Sequence, residues 1–171
     1  KVKGFEVELG WTPVDRLRLG ATIVHVDAKF KDFLTDDPFI PGNAFVQVEL
    51  RDVDALAAVR PDFAVIEALS TRWGLIGLYV STRNGVVAGR VASTRMFAPA
   101  YGIPEEAATG TAASGLAWWL ATRGLVDDVA QIEQGRYLQP PSVSPIDLRI
   151  DRIDGTIHRV WVGGAIRDGG L

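Results

Sequence analysis

The uncharged run from residue 107 to residue 122 is the feature that most restricts how this chain can fold. Its apolar residues recur at helical spacing, and Gly124 preceded by Arg123 is typical of a helix end, so the sequence predicts a helix over Thr111–Arg123. The run is shorter than the ~20 apolar residues that cross a bilayer. Because its apolar residues surround the whole helix axis, we expect other elements to enclose this helix.

Short alternating or continuous apolar segments predict strands around that helix. The predicted strands are Phe5–Leu9, Ala21–Val26, Ala44–Leu50, Ile76–Ser81, Val87–Met96, Val129–Tyr137, Ile146–Ile153 and Ile157–Val162. The dipeptides Asn84-Gly85 and Asp154-Gly155 predict tight hairpins between neighbouring strands. The sequence therefore predicts an α+β domain in which mostly antiparallel strands wrap around one buried central helix.

Two shorter helices are predicted between the third and fourth strands. Either Asp52 or Asp54 can cap the first, which ends at Val59. The second begins near Pro61, since proline is favoured in the first turn of a helix. Its apolar side chains follow at helical spacing from Phe63.

Composition excludes several classes of function. The 171 residues suit one large domain or one and a half small ones. A formal net charge of −3 argues against a nucleic-acid partner and against a basic membrane-binding surface. The chain has no cysteine, which excludes disulfides, thiolate metal sites and thiol catalysis, and is compatible with the cytoplasm that we expect. His25 and His158 lie in strand patterns without neighbouring ligands, so no metal site is predicted.

The segment Arg95–Gly115 carries the candidate chemistry. A turn-rich loop leads to two adjacent carboxylates, Glu105 and Glu106, and the sequence Thr-Gly-Thr at residues 109–111 then opens the buried helix. First-turn N–H groups have no intrahelical acceptors, and the helix dipole favours negative charge at this end. A substrate carboxylate can therefore bind the amides of residues 110–112.

A simpler interpretation of the same residues stays open at this point. Thr109 or Thr111 can serve only as the helix N-cap. Glu105 and Glu106 can do no more than favour the positive end of the helix dipole. The spacing from Gly110 to the next glycine is not a phosphate-binding loop, because the Lys-Ser/Thr pair is missing.

The segment resembles the signature of the phenazine-biosynthesis PhzF-like family, which is close to RxFAPxxGxxEDPATGSAxG. The matching residues are Arg95, Phe97, Ala98, Pro99, Gly102, Glu105, Ala108, Thr109, Gly110, Ala112 and Gly115. Three further stretches match other parts of the family pattern more loosely and occur in the same order as in the family. They lie at residues 53–62, 133–142 and 162–164. The chain departs from the pattern at Glu106-Ala107 for Asp-Pro, at Thr111 for serine, and at Gln139-Pro140 for Gly-Arg.

The resemblance implies a fold like that of diaminopimelate epimerase, in which two similar domains enclose the active site between them. It implies a cofactor-independent isomerase or epimerase that acts by proton transfer. Residues 1–171 would then form the second, C-terminal domain, with a terminal strand packing on the N-terminal domain. Glu106 and Thr111 match the family's catalytic carboxylate and hydroxyl, and Asn43 matches a turn that can reach the substrate.

The family's leading catalytic glutamate and its Gly-His pair have no counterpart in this sequence. We expect them in an N-terminal half, either upstream of Lys1 or on a separate chain. The leading hypothesis is thus half of an isomerase site without cofactor or metal, acting on a small carboxylic acid. Glu106 and Thr111 are its catalytic candidates, and the residues predicted to bind substrate are Asn43, Thr109, Gly110 and Ala112.

The alternative hypothesis is a non-catalytic module that kept the fold. Such a module would bind a small molecule or serve in assembly. It would pair with a separate half, or associate with itself as a homodimer.

Overall fold

In the computed structural model of the protein, residues 3–14, 17–27 and 44–164 are described. Nine strands in these ranges form one mixed sheet. The strands are β1 (Lys3–Val14), β2 (Leu17–Asp27), β3 (Ala44–Leu50), β4 (Leu75–Arg83), β5 (Ala92–Ala98), β6 (Ile103–Glu106), β7 (Val129–Gln134), β8 (Ser144–Ile153) and β9 (Thr156–Gly163). The α-helices in the same ranges are α1 (Val53–Ala58), α2 (Phe63–Trp73) and α3 (Gly110–Thr122).

The strand order places the sheet around α3. The order is β1-β2-β3-β4-β5-β7-β8-β9, and β6 pairs with β5 outside this path. Most neighbours are antiparallel, whereas β3–β4 and β5–β7 are parallel. Helix α3 packs against β3 and also against β8 and β9, so the sheet curves around it. The predicted α+β class, with mostly antiparallel strands around a central helix, is confirmed.

Helix α3 is enclosed as predicted. Between Ala112 and Ala121 every residue is buried or half-buried, and Trp118 and Trp119 are among the half-buried ones. Small alanines on the buried side let the sheet approach closely, and burial of the larger side chains supplies the hydrophobic stabilisation. The core around the helix contains Ala112, Ala113, Leu116, Ala117, Leu120, Tyr79, Met96, Ile132 and Leu148.

Aspartates cap the two shorter helices. Asp52 accepts a hydrogen bond from Ala55 N at 2.8 Å and is therefore the cap of α1. Asp62 accepts one from Val65 N at 3.1 Å, so α2 begins at Phe63 and Pro61 lies just before the cap. Each side chain satisfies a first-turn N–H that the helix itself leaves without an acceptor.

One predicted hairpin differs from the structure and one is confirmed. Strand β5 begins at Ala92 instead of residue 87, because Gly85 N bonds the Arg90 carbonyl at 2.9 Å and closes a longer loop. The prediction of a two-residue turn at Asn84-Gly85 is therefore wrong. Asp154 and Gly155 both have positive φ, at 51° and 76°, and form the tight turn between β8 and β9.

Two further boundaries differ from the prediction. Strand β7 ends at Gln134, because Gly135 turns the chain with a φ of 83°. The loop predicted before α3 contains the short strand β6, which pairs with β5. Within the described ranges, no helix is long and apolar enough to span a membrane.

Candidate functional site

Strand β6 sends the two adjacent glutamates in different directions. Successive side chains on a strand point to opposite faces. Glu105 turns toward Arg95 on β5, and Glu106 turns toward the start of α3. The two carboxylates that stand together in the sequence therefore have separate surroundings.

Glu105 forms a buried, bidentate ion pair with Arg95. Nε and Nη2 of Arg95 each donate to one oxygen of Glu105 at 2.8 Å, and the side chains are 7% and 11% exposed. Nη1 of Arg95 also donates to the carbonyls of Leu56 and Val59 at the end of α1. The pair thus joins β5, β6 and α1, and it orients the strand that carries Glu106.

Replacing Glu105 with glutamine is expected to lower the free energy of unfolding by about 3 kcal/mol, because the buried guanidinium loses its counter-charge. Urea unfolding at neutral pH measures this change. Glu67→Gln on the exposed surface of α2 is the matched control and should alter stability by about 0.5 kcal/mol or less. Equal stability of the two variants would contradict the role given to the ion pair.

A chain of hydrogen bonds from the buried Gln134 and Thr109 holds the half-buried Glu106. Thr109 Oγ1 donates to Glu106 Oε2 at 2.5 Å. Gln134 Nε2 donates to Thr109 Oγ1 at 3.0 Å and to the backbone carbonyl of Glu106 at 2.8 Å. Since Gln134 supplies a hydrogen to Thr109, the threonine hydrogen is directed at the carboxylate.

The side chain of Thr109 serves Glu106 and does not cap the helix. Its backbone occupies the N-cap position of α3, but its side chain makes no cap hydrogen bond. Thr109 is buried, at 7% exposure, and its hydroxyl donates to Glu106 instead. Within the described ranges Gln134 Oε1 has no hydrogen-bond partner, so Gln134 acts at this site as a donor.

The first turn of α3 lies open beside this chain of bonds. The first helical bond runs from Ala113 N to the Thr109 carbonyl at 3.1 Å, so the N–H groups of residues 110–112 have no intrahelical acceptor. Gly110 and Thr111 are exposed. A side-chain atom at Gly110 would meet nothing nearer than Val162 Cγ1 at 4.0 Å. An anion can therefore approach the amides of Gly110 and Thr111, whereas the predicted contact at Ala112 is not open to solvent, because that residue is buried.

Gln47 fixes the same turn from the sheet. Its Nε2 donates to the Ala112 carbonyl at 3.1 Å, across from β3. The Ala112 side chain itself is buried, at 1% exposure. The Cβ of any residue replacing Gly115 would lie 3.0 Å from that same Nε2, so the glycine leaves room for Gln47. The start of α3 is thus held by Gln47 on one side and by Gln134 on another.

The structure brings together most of the residues predicted from the sequence. Glu106, Thr109, Gly110, Thr111 and Ala112 lie at the junction of β6 and α3. Asn43 lies outside the described residues. In the described part of the chain, no group of three His, Asp or Glu side chains could hold a metal ion.

Sequence reasoning assigned no role to Gln134 or Gln47. Gln134 falls in the Glu-Gln-Gly stretch that matches the family, which was a usable signal. No sequence pattern pointed to Gln47, because its contact with α3 joins residues 65 positions apart.

The residue before Gln134 forms a second charged cluster. Glu133 is 1% exposed and accepts hydrogen bonds from Arg136 Nε at 2.6 Å and from Ser93 Oγ at 2.9 Å. The bond from Arg136, with smaller help from Ser93, holds the pKa of the Glu133 carboxyl below its usual value of 4.5 despite burial. This carboxylate ties β7 to β5.

Glu133 should make stability depend on pH. Because its pKa is lower in the folded chain, its stabilisation is complete above about pH 4.5 and is lost as the pH falls through the folded pKa. Glu133→Gln is expected to be less stable than the parent at pH 7, with the difference shrinking below pH 4.5. Urea unfolding at several pH values measures this. A constant difference at all pH values would contradict it.

The structure places a carboxylate beside the first turn of a buried helix in an α+β domain, and comparison with known proteins identifies the family. The family model for PhzC-PhzF, described as phenazine biosynthesis-like protein, matches residues 24–166. The chain belongs to this family.

Similar proteins agree with this assignment. The chain is 38% identical over 126 residues to a trans-2,3-dihydro-3-hydroxyanthranilate isomerase from Pseudomonas chlororaphis, covering 72% of this chain and 41% of that protein. A PhzF-family structure from Bacillus anthracis superposes with a TM-score of 0.59 at 17% identity, covering 87% of this chain and 46% of the other. A PhzC/PhzF protein from Clostridium difficile gives a TM-score of 0.55 at 14% identity, covering 98% and 57%. The chain thus spans less than half the length of the curated relative.

Proposed function

We propose that this chain supplies the C-terminal half of the active site of an isomerase that moves a proton on a small carboxylic acid. The observation that carries the proposal is the Glu106 carboxylate, which Thr109 holds beside the open first turn of α3. An acid–base side chain and an anion-binding turn thus stand next to each other. Relatives named trans-2,3-dihydro-3-hydroxyanthranilate isomerase suggest the substrate class, since an anthranilate carries a carboxylate.

The first turn of α3 binds the substrate in this proposal. Its N–H groups at Gly110 and Thr111 and the positive end of the helix dipole attract the substrate carboxylate. Thr111 is exposed on that turn and offers its hydroxyl as a further hydrogen-bond donor. This contact fixes the substrate so that its acidic C–H lies near Glu106.

Glu106 transfers the proton. General acid–base catalysis by a carboxylate requires one oxygen free for the substrate and a fixed side-chain direction. Thr109 donates to Oε2 only, which leaves Oε1 for the reacting proton. Gln134 fixes the hydroxyl of Thr109 and thereby acts as a positioning residue.

A second half completes the site. Moving a proton from one carbon to another uses a second acid–base group, which donates or accepts the proton at the second carbon. We assign this group to an N-terminal half on the same protein or on a separate chain. Asn43 is assigned to a further substrate contact on its sequence match alone. The chemistry uses side chains alone and calls for no cofactor.

Deuterium exchange tests the function directly. The full-length protein is incubated with trans-2,3-dihydro-3-hydroxyanthranilate in D₂O, and mass spectrometry follows isomerised product and incorporated deuterium. We expect both, at a rate proportional to protein concentration. Saturable binding of the compound without exchange would overturn the isomerase and favour the non-catalytic module.

Thr109→Val separates the positioning role from folding. Valine keeps the shape of threonine but removes the hydroxyl, so we expect kcat to fall about tenfold with little change in KM, since one hydrogen bond to the reacting carboxylate is lost. Steady-state kinetics measure both constants. An unchanged kcat, or a loss confined to KM, would contradict the role given to Thr109.

A further inference from the structure

A recess lies at the other end of α3, away from Glu106. It is found where the parallel strands β3 and β4 end, and Leu120 in the last turns of α3 forms part of its wall. Its volume is about 500 Å³, within the range of small-molecule sites. Leu120 lies ten positions after Gly110 in α3, which is about 15 Å along the axis, so this recess is distinct from the candidate site.

Three arginines line this recess. We call it the arginine recess, and its lining residues are Arg51, Arg83, Asn84, Gly89, Arg90, Val91, Leu120 and Leu125. Two of its guanidinium groups are already paired: Arg51 with Asp52 at 2.7 Å, and Arg83 with Glu49. These three arginines and two carboxylates leave one positive charge in excess.

Arg90 carries that excess charge. Its Nη1 is buried and has no hydrogen-bond partner among the described residues. The positive charge of Arg90 helps to lower the pKa of Glu133, but the Glu133 oxygens accept hydrogen bonds from Arg136 and Ser93. A buried guanidinium nitrogen without an acceptor is costly, and an oxyanion would satisfy it with a strong charge-assisted bond.

Apolar side chains also line the recess. They are Val91, Leu120 and Leu125, of which Leu125 is 42% exposed. The recess is also larger than a single oxyanion group would fill. A lining that contains both guanidinium groups and hydrocarbon suits a ligand that has both an anionic and an apolar part.

We propose that the arginine recess binds a small organic anion. Its carboxylate or phosphate group meets Arg90 and Arg83, and its apolar part rests on Val91 and Leu125. This site is separate from the turn at residues 110–112, and its occupation does not depend on isomerase activity.

Binding is tested with benzoate and phenyl phosphate as probes and with benzamide as a neutral probe of similar shape. Amide signals of the ¹⁵N-labelled protein report where each probe binds. We expect both anions to shift Gly89 and Leu125 in a saturable way, and benzamide to leave them unchanged. Shifts confined to Gly110 and Thr111, or none that saturate, would overturn the proposal.

Two variants with opposite expected effects complete the test. Arg90→Gln should weaken benzoate binding at Gly89 about tenfold, because the charge-assisted bond is lost. Glu49→Gln frees Arg83 and should tighten binding about threefold. If Arg90→Gln does not fold, Arg83→Gln on the exposed rim replaces it, with weaker binding expected. Arg72→Gln, in the last turn of α2, is the charge-matched control, and an effect as large as that of Arg90→Gln would overturn the assignment.

Discussion

Replacing Glu106 with glutamine is expected to lower kcat/KM for isomerisation about 10²–10⁴-fold, the range for removal of a positioned general acid or base. Glutamine keeps the size of glutamate and can still accept the hydrogen bond from Thr109, so the loss reflects the missing proton-transfer group. Solvent deuterium exchange and steady-state kinetics measure it. The free energy of unfolding should change by about 1 kcal/mol or less.

The control for this variant is Glu67→Gln, which removes the same charge from the surface of α2 and should leave kcat/KM unchanged. Glu106→Asp gives a second test, since it shortens the side chain by one methylene and keeps the carboxylate. We expect Glu106→Asp to retain more activity than the glutamine variant. Full exchange activity in Glu106→Gln would rule out the role proposed for this carboxylate.

Replacing Gly135 with alanine is expected to cost about 4 kcal/mol of stability, because strain and a backbone clash add together. Gly135 has a φ of 83°, which residues with a Cβ rarely adopt. The new Cβ would lie 2.1 Å from the Ser142 carbonyl oxygen and 2.9 Å from that of Ala107. Since Ala107 follows Glu106, the clash would also disturb the site. Urea unfolding and deuterium exchange should both report the loss.

Gly155→Ala is the matched control for this prediction. Gly155 has a similar φ of 76°, but its Cβ would have no atom within 4 Å. We expect it to lose about 1 kcal/mol, from the backbone conformation alone. If the two variants were equally stable, the close approach of Ser142 and Ala107 would not be the reason for the glycine at 135.

Local patterns predicted the parts of the fold that depend on neighbouring residues. The enclosed helix followed from apolar residues all around its axis. The cap of α1 at Asp52 followed from a side chain within one turn of the helix it caps. The turn at Asp154-Gly155 depends on only two residues. Asn84-Gly85 carries the same signal, yet a bond from Gly85 to Arg90 closes a longer loop there.

The candidate site likewise contains contacts between neighbouring residues, which the sequence predicted, and contacts between distant segments, which it did not. The sequence placed Glu106 and the first turn of α3 side by side because they are adjacent in the chain. It could not show that Glu105 forms an ion pair with Arg95, or that Gln134 donates a hydrogen bond to Thr109 from another strand. Those contacts depend on how β5, β6 and β7 pair, and pairing between distant segments leaves little trace in a single sequence.

The fit between Gln47 and Gly115 has an evolutionary consequence. A methyl group at position 115 would crowd the amide that holds the start of α3, so each residue restricts what the other can become. In homologues of this chain, alanine or serine at 115 should occur together with a shorter residue at 47. The two positions are expected to change in concert, although they lie 68 places apart in the sequence.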